Sequence, residues 1–321
     1  MTRFSFVSLL ILLILLAAWV ASPTLAQAQT AQNNRSVAAL AATWPTAEFA
    51  SNHIVVQVVG EQNGPDIVLI PGLASTSEVW GKIVPALQGR YRLHLINVRG
   101  FGAYHAQGNA TGVLGSTVAS EIERYIRTQQ MVTANRKPAL IGHSMGGQVA
   151  LRIAADMGDD IGRVMVVDSS PFFPSLISRG ATRADVEPLA RLAYQGVLLM
   201  GDDMLRSAPA RMGLELGEGA DRVFNGLGWQ GGDRRVLAQG VFEVLTTDLR
   251  HRLPQITAPV TVVYGWSADA SSPRAVVDDL FRYSFMNLNT PATFQRIQGA
   301  EHMVMIDQPR AFERAVLAFL R

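Results

Sequence analysis

Gly142-His143-Ser144-Met145-Gly146 has the spacing G-x-S-x-G and occurs once in the chain. A serine hydroxyl is a weak nucleophile at neutral pH, so it needs a sharp presentation, a neighbouring base and donors for the charge it creates. Pro138-Ala139-Leu140-Ile141 before the motif has the pattern of a strand, and Gly147 to Leu151 after it opens a helix. A strand-turn-helix elbow forces the serine into a strained conformation with its Oγ exposed. The flanking glycines relieve the crowding, and the helix amino terminus favours developing negative charge. Ser144 is therefore the candidate nucleophile.

The base should follow it in the chain. Two histidines do, His251 and His302. His302 falls between an expected last strand, Thr293 to Ile297, and a final amphipathic helix that starts near Asp307-Gln308-Pro309 and aligns Phe312, Val316 and Leu320. That position projects from the carboxyl edge of a sheet, where Ser144 also sits. His251 lies between Arg250 and Arg252 and reads as solvated. Two acids are candidates for orienting His302. Asp269, just past the expected strand Val260 to Tyr264, comes first; Asp168, at the end of the preceding strand, comes second, with a turn cap as its ordinary role. Oxyanion donors are backbone N–H groups. Met145 follows the nucleophile directly, and Leu73 lies in the loop Pro71-Gly72-Leu73-Ala74 after the expected strand Ile67 to Ile70. Trp80, farther along that loop, reads as core.

These residues need a scaffold. His53–Val59, Asp66–Ile70, Tyr91–Val98, Leu140–Ile141, Val164–Val167 and Val260–Tyr264 are short β-rich runs or fragments of them, most of them apolar on both parities. Strands covered on both faces look like that. Helical stretches lie between, such as Ser116–Gln130 and Gly147–Met157, the latter carrying Val149, Ile153 and Met157 on one face. Alternating strands and helices predict a doubly wound, mostly parallel α/β sheet. Between Asp168 and Val260 no strand recurs, but Asp185–Leu199 and Arg234–Leu249 have helical patterns, so a helical insertion is expected there.

Arg3, the apolar run Phe4 to Ala21 and the small residues of Thr24-Leu25-Ala26-Gln27-Ala28 lay out a secretory signal peptide over residues 1–28. An uncleaved anchor is the rival, since about 18 apolar residues can span a bilayer. Either places the catalytic body outside the cytoplasm, periplasmic or secreted. Residues 29–50, rich in Ala, Gln and Asn, read as a loose leader into a domain over 51–321. The 28 Lys and Arg nearly balance the 26 Asp and Glu, which gives no electrostatic reason to expect nucleic acid or an anionic membrane surface as a partner. The chain of 321 residues contains no cysteine, which excludes disulfides, thiolate metal sites and a cysteine nucleophile. The chemistry sketched here calls for no metal and no organic cofactor.

Taken together, Pro71-Gly72 through Trp80, Asn97-Val98-Arg99-Gly100-Phe101-Gly102, the Gly142 to Gly147 elbow, Val167-Asp168-Ser169 and Gly299 through Pro309 resemble the α/β-hydrolase superfamily, in its branch with one catalytic domain and a helical lid. The resemblance covers about residues 54–321. It implies the α/β-hydrolase fold, with the insertion at about 170–253 as a cap that covers the pocket and selects substrate. It also implies a serine hydrolase that cleaves a carboxylic ester or related acyl substrate. C–C bond hydrolysis or perhydrolysis by the same triad is the alternative, and a non-catalytic binding protein is an alternative of another class. Phe172, Phe173, Tyr194, Met200 and Met204 in the cap point to an apolar small-molecule substrate. The chain departs from the family pattern in three places. Pro71 stands where a histidine is usual, and Asn97 where an aspartate is. Asp269 follows Gly265 by four residues instead of three, which keeps Asp168 open as the acid.

Overall fold

The computed structural model describes residues 47–199, 230–268 and 272–321. The expected signal segment, most of the expected leader, Met200, Met204 and Asp269 lie outside the described residues. Among those described, no helix is long and apolar enough to cross a membrane.

The strands β1 (Phe49–Ala50), β2 (Ile54–Gly60), β3 (Asp66–Ile70), β4 (Arg92–Val98), β5 (Ala139–His143), β6 (Arg163–Val167), β7 (Val260–Trp266) and β8 (Thr293–Gln298) form one sheet in the order β1-β2-β4-β3-β5-β6-β7-β8. From β4 to β8 every neighbour is parallel; β1 and β2 run antiparallel at the edge. The β-rich runs of the sequence thus become strands, with ends that differ from the expected ones by at most two residues. The sheet begins inside the expected leader, because Phe49–Ala50 pair with β2 and the Phe49 ring packs 4.9 Å from that of Tyr125.

Double coverage explains the two-parity apolar runs. Val68 and Ile70 of β3 and Val164 and Val166 of β6 face one core with the helices α2 (Leu114–Thr128) and α3 (Met145–Met157). Ile67, Leu69, Met165 and Val167 face the other, which holds Trp80, the short helix α1 (Val84–Leu87) and the final helix α7 (Pro309–Phe319). Trp80 is fully buried against Phe312, a core residue as its sequence position indicated. The helix α6 (Arg274–Ser284) lies where the sequence patterns assign no element, since it buries only the narrow stripe Val277, Phe281 and Ser284.

Residues 170–253 leave the sheet after β6 and carry α4 (Arg183–Leu199) and α5 (Arg234–Thr246), which pack on each other. Where this insertion leaves and re-enters, Leu249 N–H donates to the Pro171 carbonyl at 2.9 Å, and the Arg250 guanidinium covers the Phe172 ring at 4.5 Å. Helix α2 lacks a side-chain cap of its own at Val113. Glu243 of α5 supplies one, accepting from Leu114 N–H at 2.6 Å and Gly115 N–H at 2.7 Å.

At the amino-terminal end of the strands a buried polar chain ties β3, β4 and α2 together. His94 donates through Nε2 to Asp66 at 3.0 Å and accepts at Nδ1 from the Tyr125 hydroxyl at 2.8 Å. Burial holds the His94 imidazole below its ordinary pKa despite the carboxylate, so the ring is neutral, as accepting at Nδ1 requires. Tyr125→Phe leaves that buried nitrogen without a donor. It should lower stability by about 1–3 kcal/mol, read as a smaller urea midpoint at unchanged m-value.

Candidate active site

β5 ends at His143 and α3 begins at Met145, so Ser144 is the single residue of the turn, with φ 52° and ψ −122°. Its N–H donates to the Val167 carbonyl at 3.0 Å and its carbonyl accepts from Gly147 N–H at 2.8 Å, which fixes the bend. A Cβ on Gly142 would lie 2.2 Å from the Gly146 carbonyl oxygen, and one on Gly146 would lie 2.3 Å from that of Ile70. Both glycines of the motif are therefore demanded by contact. Ser144 is only 8% exposed, so its Oγ does not stand on open surface as the elbow alone would have it.

In the parallel register of β5 and β6, His143 pairs with Val167. The next residues on the two strands, Ser144 and Asp168, therefore emerge side by side at the carboxyl edge. Asp168 also has positive φ, at 43°, and its N–H donates to the Val263 carbonyl at 2.7 Å. Its Oδ1 accepts from Gly265 N–H at 3.1 Å, while Oδ2 accepts from His302 Nδ1 at 2.7 Å. The carboxylate that holds His302 is thus Asp168, ranked second from sequence. Asp269, ranked first, lies outside the described residues. The family spacing favours an acid after β7, but among the described residues the carboxylate that reaches the histidine loop stands at the end of β6. Among the described residues Ser144 Oγ makes no hydrogen bond to His302, a contact that commonly closes only around substrate.

The His302 loop, residues 299–303, is anchored from three sides. Gly299 N–H donates to the Trp266 carbonyl at 2.8 Å. Asp307 Oδ2 accepts from Glu301 N–H at 2.9 Å. His143 Nε2 donates to the His302 carbonyl at 3.0 Å, its ring centroid 4.6 Å from that of His302. His143 is fully buried, and burial followed by the neighbouring His302 holds it neutral, well below the usual imidazole range. Neither His143 nor Asp307 stood out in the sequence as a support. The only signals were a histidine in the variable position of the G-x-S-x-G motif and an acid two residues before Pro309.

The loop with Leu73 runs directly over this centre. A Cβ on Gly72 would come 3.0 Å from Ser144 Cβ and 2.9 Å from His143 Nδ1, so only glycine lets the backbone approach so closely. Ala74 follows with φ 56°. Neither Leu73 N–H nor Met145 N–H donates to a described residue, and Met145 is the first residue of α3, where the helix supplies no acceptor. His251 is exposed and away from the centre. In the cap, Phe172 is fully buried under Arg250, so it belongs to the neck and not to a pocket wall. Tyr194 of α4 sets its ring 6.4 Å from Phe242 of α5. Among the described residues, no group of three His, Cys, Asp or Glu side chains is arranged to hold a metal ion.

Comparison with known proteins fits this architecture. The profile of the Alpha/beta hydrolase family matches residues 67–315, well over half of the chain. The chain belongs to that family. The eight-stranded, mostly parallel sheet with its helices is that of an α/β-hydrolase enzyme, as the sequence motifs led one to expect. A pimeloyl-[acyl-carrier protein] methyl ester esterase of Yersinia pseudotuberculosis is 30% identical over 262 residues, covering 79% of this chain and 92% of the relative. Among solved structures, a hydrolase from Pseudomonas aeruginosa PA01 superposes with a TM-score of 0.63 at 20% identity, over 87% of this chain and 99% of that one. An enol-lactonase from Burkholderia xenovorans LB400 does so at 0.56 and 21%, over 86% and 99%. At those identities the two structures speak for the fold alone.

Burial, with the Glu301 and Asp168 carboxylates adding to it, pushes Asp307 from an ordinary 3.8 up to about 7. The folded chain then binds a proton at this group at pH values where the unfolded chain has released it. Its contribution to stability is present below about pH 4 and is lost as pH rises through 7. Asp307→Asn removes the titration but keeps an acceptor for Glu301 N–H. The variant should gain stability relative to wild type as pH is raised from 4 to 8, read from urea midpoints; a pH-independent difference would show that Asp307 ionises normally.

Proposed function

We propose that this chain is an esterase that acts through an acyl-enzyme, with Ser144 as nucleophile, His302 as base and Asp168 as the acid that orients it. Met145 and Leu73 N–H groups would hold the oxyanion. The observation that carries the reading is the β5–β6 register, which sets Ser144 beside an aspartate hydrogen-bonded to His302 Nδ1. With Nδ1–H engaged by Asp168, Nε2 of the neutral ring is left as the basic nitrogen.

Ser144 Oγ attacks the ester carbonyl carbon as its proton passes to His302 Nε2, and the carbonyl oxygen takes the negative charge against the backbone donors. Collapse breaks the bond to the alkoxy oxygen, which leaves as an alcohol with the proton from His302. Water then repeats the sequence, giving a proton to His302 and releasing the carboxylic acid while Ser144 recovers its hydrogen. Asp168 keeps the ring aligned and stabilises the imidazolium without taking the proton.

The name of the Yersinia relative, a methyl ester esterase of an acyl carrier protein, supports an acyl ester as the substrate class. The substrate we favour is a small ester with an apolar acyl part, the class that Phe173, Tyr194, Met200 and Met204 suggest from the sequence alone. Export, periplasmic or secreted, is part of the proposal and rests on the apolar leader and the small residues at Ala26 and Ala28. An intact mass beginning after one of them would support it.

A fluorophosphonate probe should label the wild type and not Ser144→Ala; an unlabelled, folded wild type would point to a non-catalytic binding protein. Turnover of p-nitrophenyl esters of graded chain length should exceed that of a C–C diketone, and the reverse would favour carbon–carbon hydrolysis. Asp168→Asn should lower kcat by about 10⁴-fold, the scale of losing the correct tautomer, with little effect from Asp269→Asn. A larger loss at Asp269 would move the acid there.

A further inference from the structure

The oxyanion loop has a backbone tie of its own, Ser75 N–H to the Gly72 carbonyl at 3.2 Å. Ala74 sits in the left-handed region at φ 56°, where a side chain is disfavoured, directly after Leu73. The 3-10 turn Ser77–Trp80 that follows is capped only weakly from within, by Thr76 Oγ1 at 3.4 Å from Glu78 N–H. From the body, Asn97 Oδ1 accepts from Ser77 N–H at 2.8 Å, and the remaining ties come from the insertion.

Gln230 lies where the insertion returns towards the catalytic body. Its backbone N–H donates to the Ala74 carbonyl at 2.8 Å. Its side-chain Oε1 accepts from Thr76 N–H at 2.5 Å, and its Nε2 donates to Glu78 Oε2 at 2.6 Å. One residue thus satisfies three groups along 74–78. The residues after it continue the seam, with Gly102 N–H donating to the Gly231 carbonyl at 3.0 Å and Asp233 N–H to that of Gly100 at 2.8 Å. A second contact comes from α5, where a Cβ on Gly240 would lie 2.4 Å from Leu73 Cδ1, so the Leu73 side chain fills the space that this glycine leaves.

We infer that Gln230 is a positioning residue for the oxyanion site: by holding Ala74 to Glu78 through its backbone and side-chain amides, it sets the direction of Leu73 N–H and joins the cap to the transition state. Its contribution falls on the oxyanion more than on ground-state ester, whose carbonyl makes weaker demands on the same donor. The inference rests on the reading of Leu73 N–H as an oxyanion donor.

Gln230→Ala is tested with a p-nitrophenyl ester whose turnover by wild type is established. The expected result is a fall in kcat of about tenfold or more with KM within about twofold, and weaker inhibition by a trifluoromethyl ketone by a similar factor. Gln230→Glu keeps the shape and the acceptor for Thr76 N–H but sets a carboxylate against Glu78. Its deficit relative to wild type should shrink as pH falls from 8 to 6, when one shared proton restores the donor. Unchanged kcat in both variants, or a rise in KM alone, overturns the inference, as does a lower Tm with kcat intact. Failure of the esterase reading looks different: the wild type itself would then take no fluorophosphonate label.

Discussion

The pairing of His143 with Val167 is the constraint from which the site follows. Two parallel strands in this register deliver consecutive residues to one edge at a spacing set by the backbone, about 4.8 Å between chains. Both residues that emerge there, Ser144 and Asp168, take positive φ, so each strand ends abruptly and turns its side chain across the edge. With Ala74 included, three of the five non-glycine residues of positive φ among the described residues lie at this centre. A strained backbone conformation costs on the order of 1–3 kcal/mol, and the sheet beneath, buried on both faces, supplies the rigidity that sustains it.

The centre is built around one buried carboxyl group and two imidazole rings. Asp168 is buried, yet it accepts from Gly265 N–H and His302 Nδ1, so both of its oxygens are engaged. His143 lies against the His302 ring but stays neutral, and its Nε2–H steadies the loop by a hydrogen bond to a carbonyl. In the proposed mechanism a charged His143 would repel an imidazolium at His302, and a neutral one does not.

Much of this was legible in the amino-acid order. The strand runs around Ser144 were visible because buried parallel strands are apolar on both parities, and the elbow because its glycines are forced by contacts under 2.5 Å. His302 was found by its place between the last strand and the last helix. The pairing of Asp168 with His302 was harder to see. Choosing between two acids at the ends of neighbouring strands depends on loop geometry that no periodicity encodes. His143, Asp307 and Gln230 escaped for a related reason: each acts through a hydrogen bond to a residue distant in sequence or to a backbone group, which side-chain patterns do not record. Phe172 shows the opposite error, an aromatic in the right segment that packs in the neck.

The carboxylate of Glu243, which caps helix α2 from the insertion, bears on how such chains can diversify. Here the insertion carries a structural part of the body. A transplanted cap with no acceptor at that position would leave Leu114 and Gly115 N–H groups unpaired at the start of a 15-residue helix of the core. Insertion and body are thereby coupled in inheritance: the face that α5 turns to α2 travels with the fold.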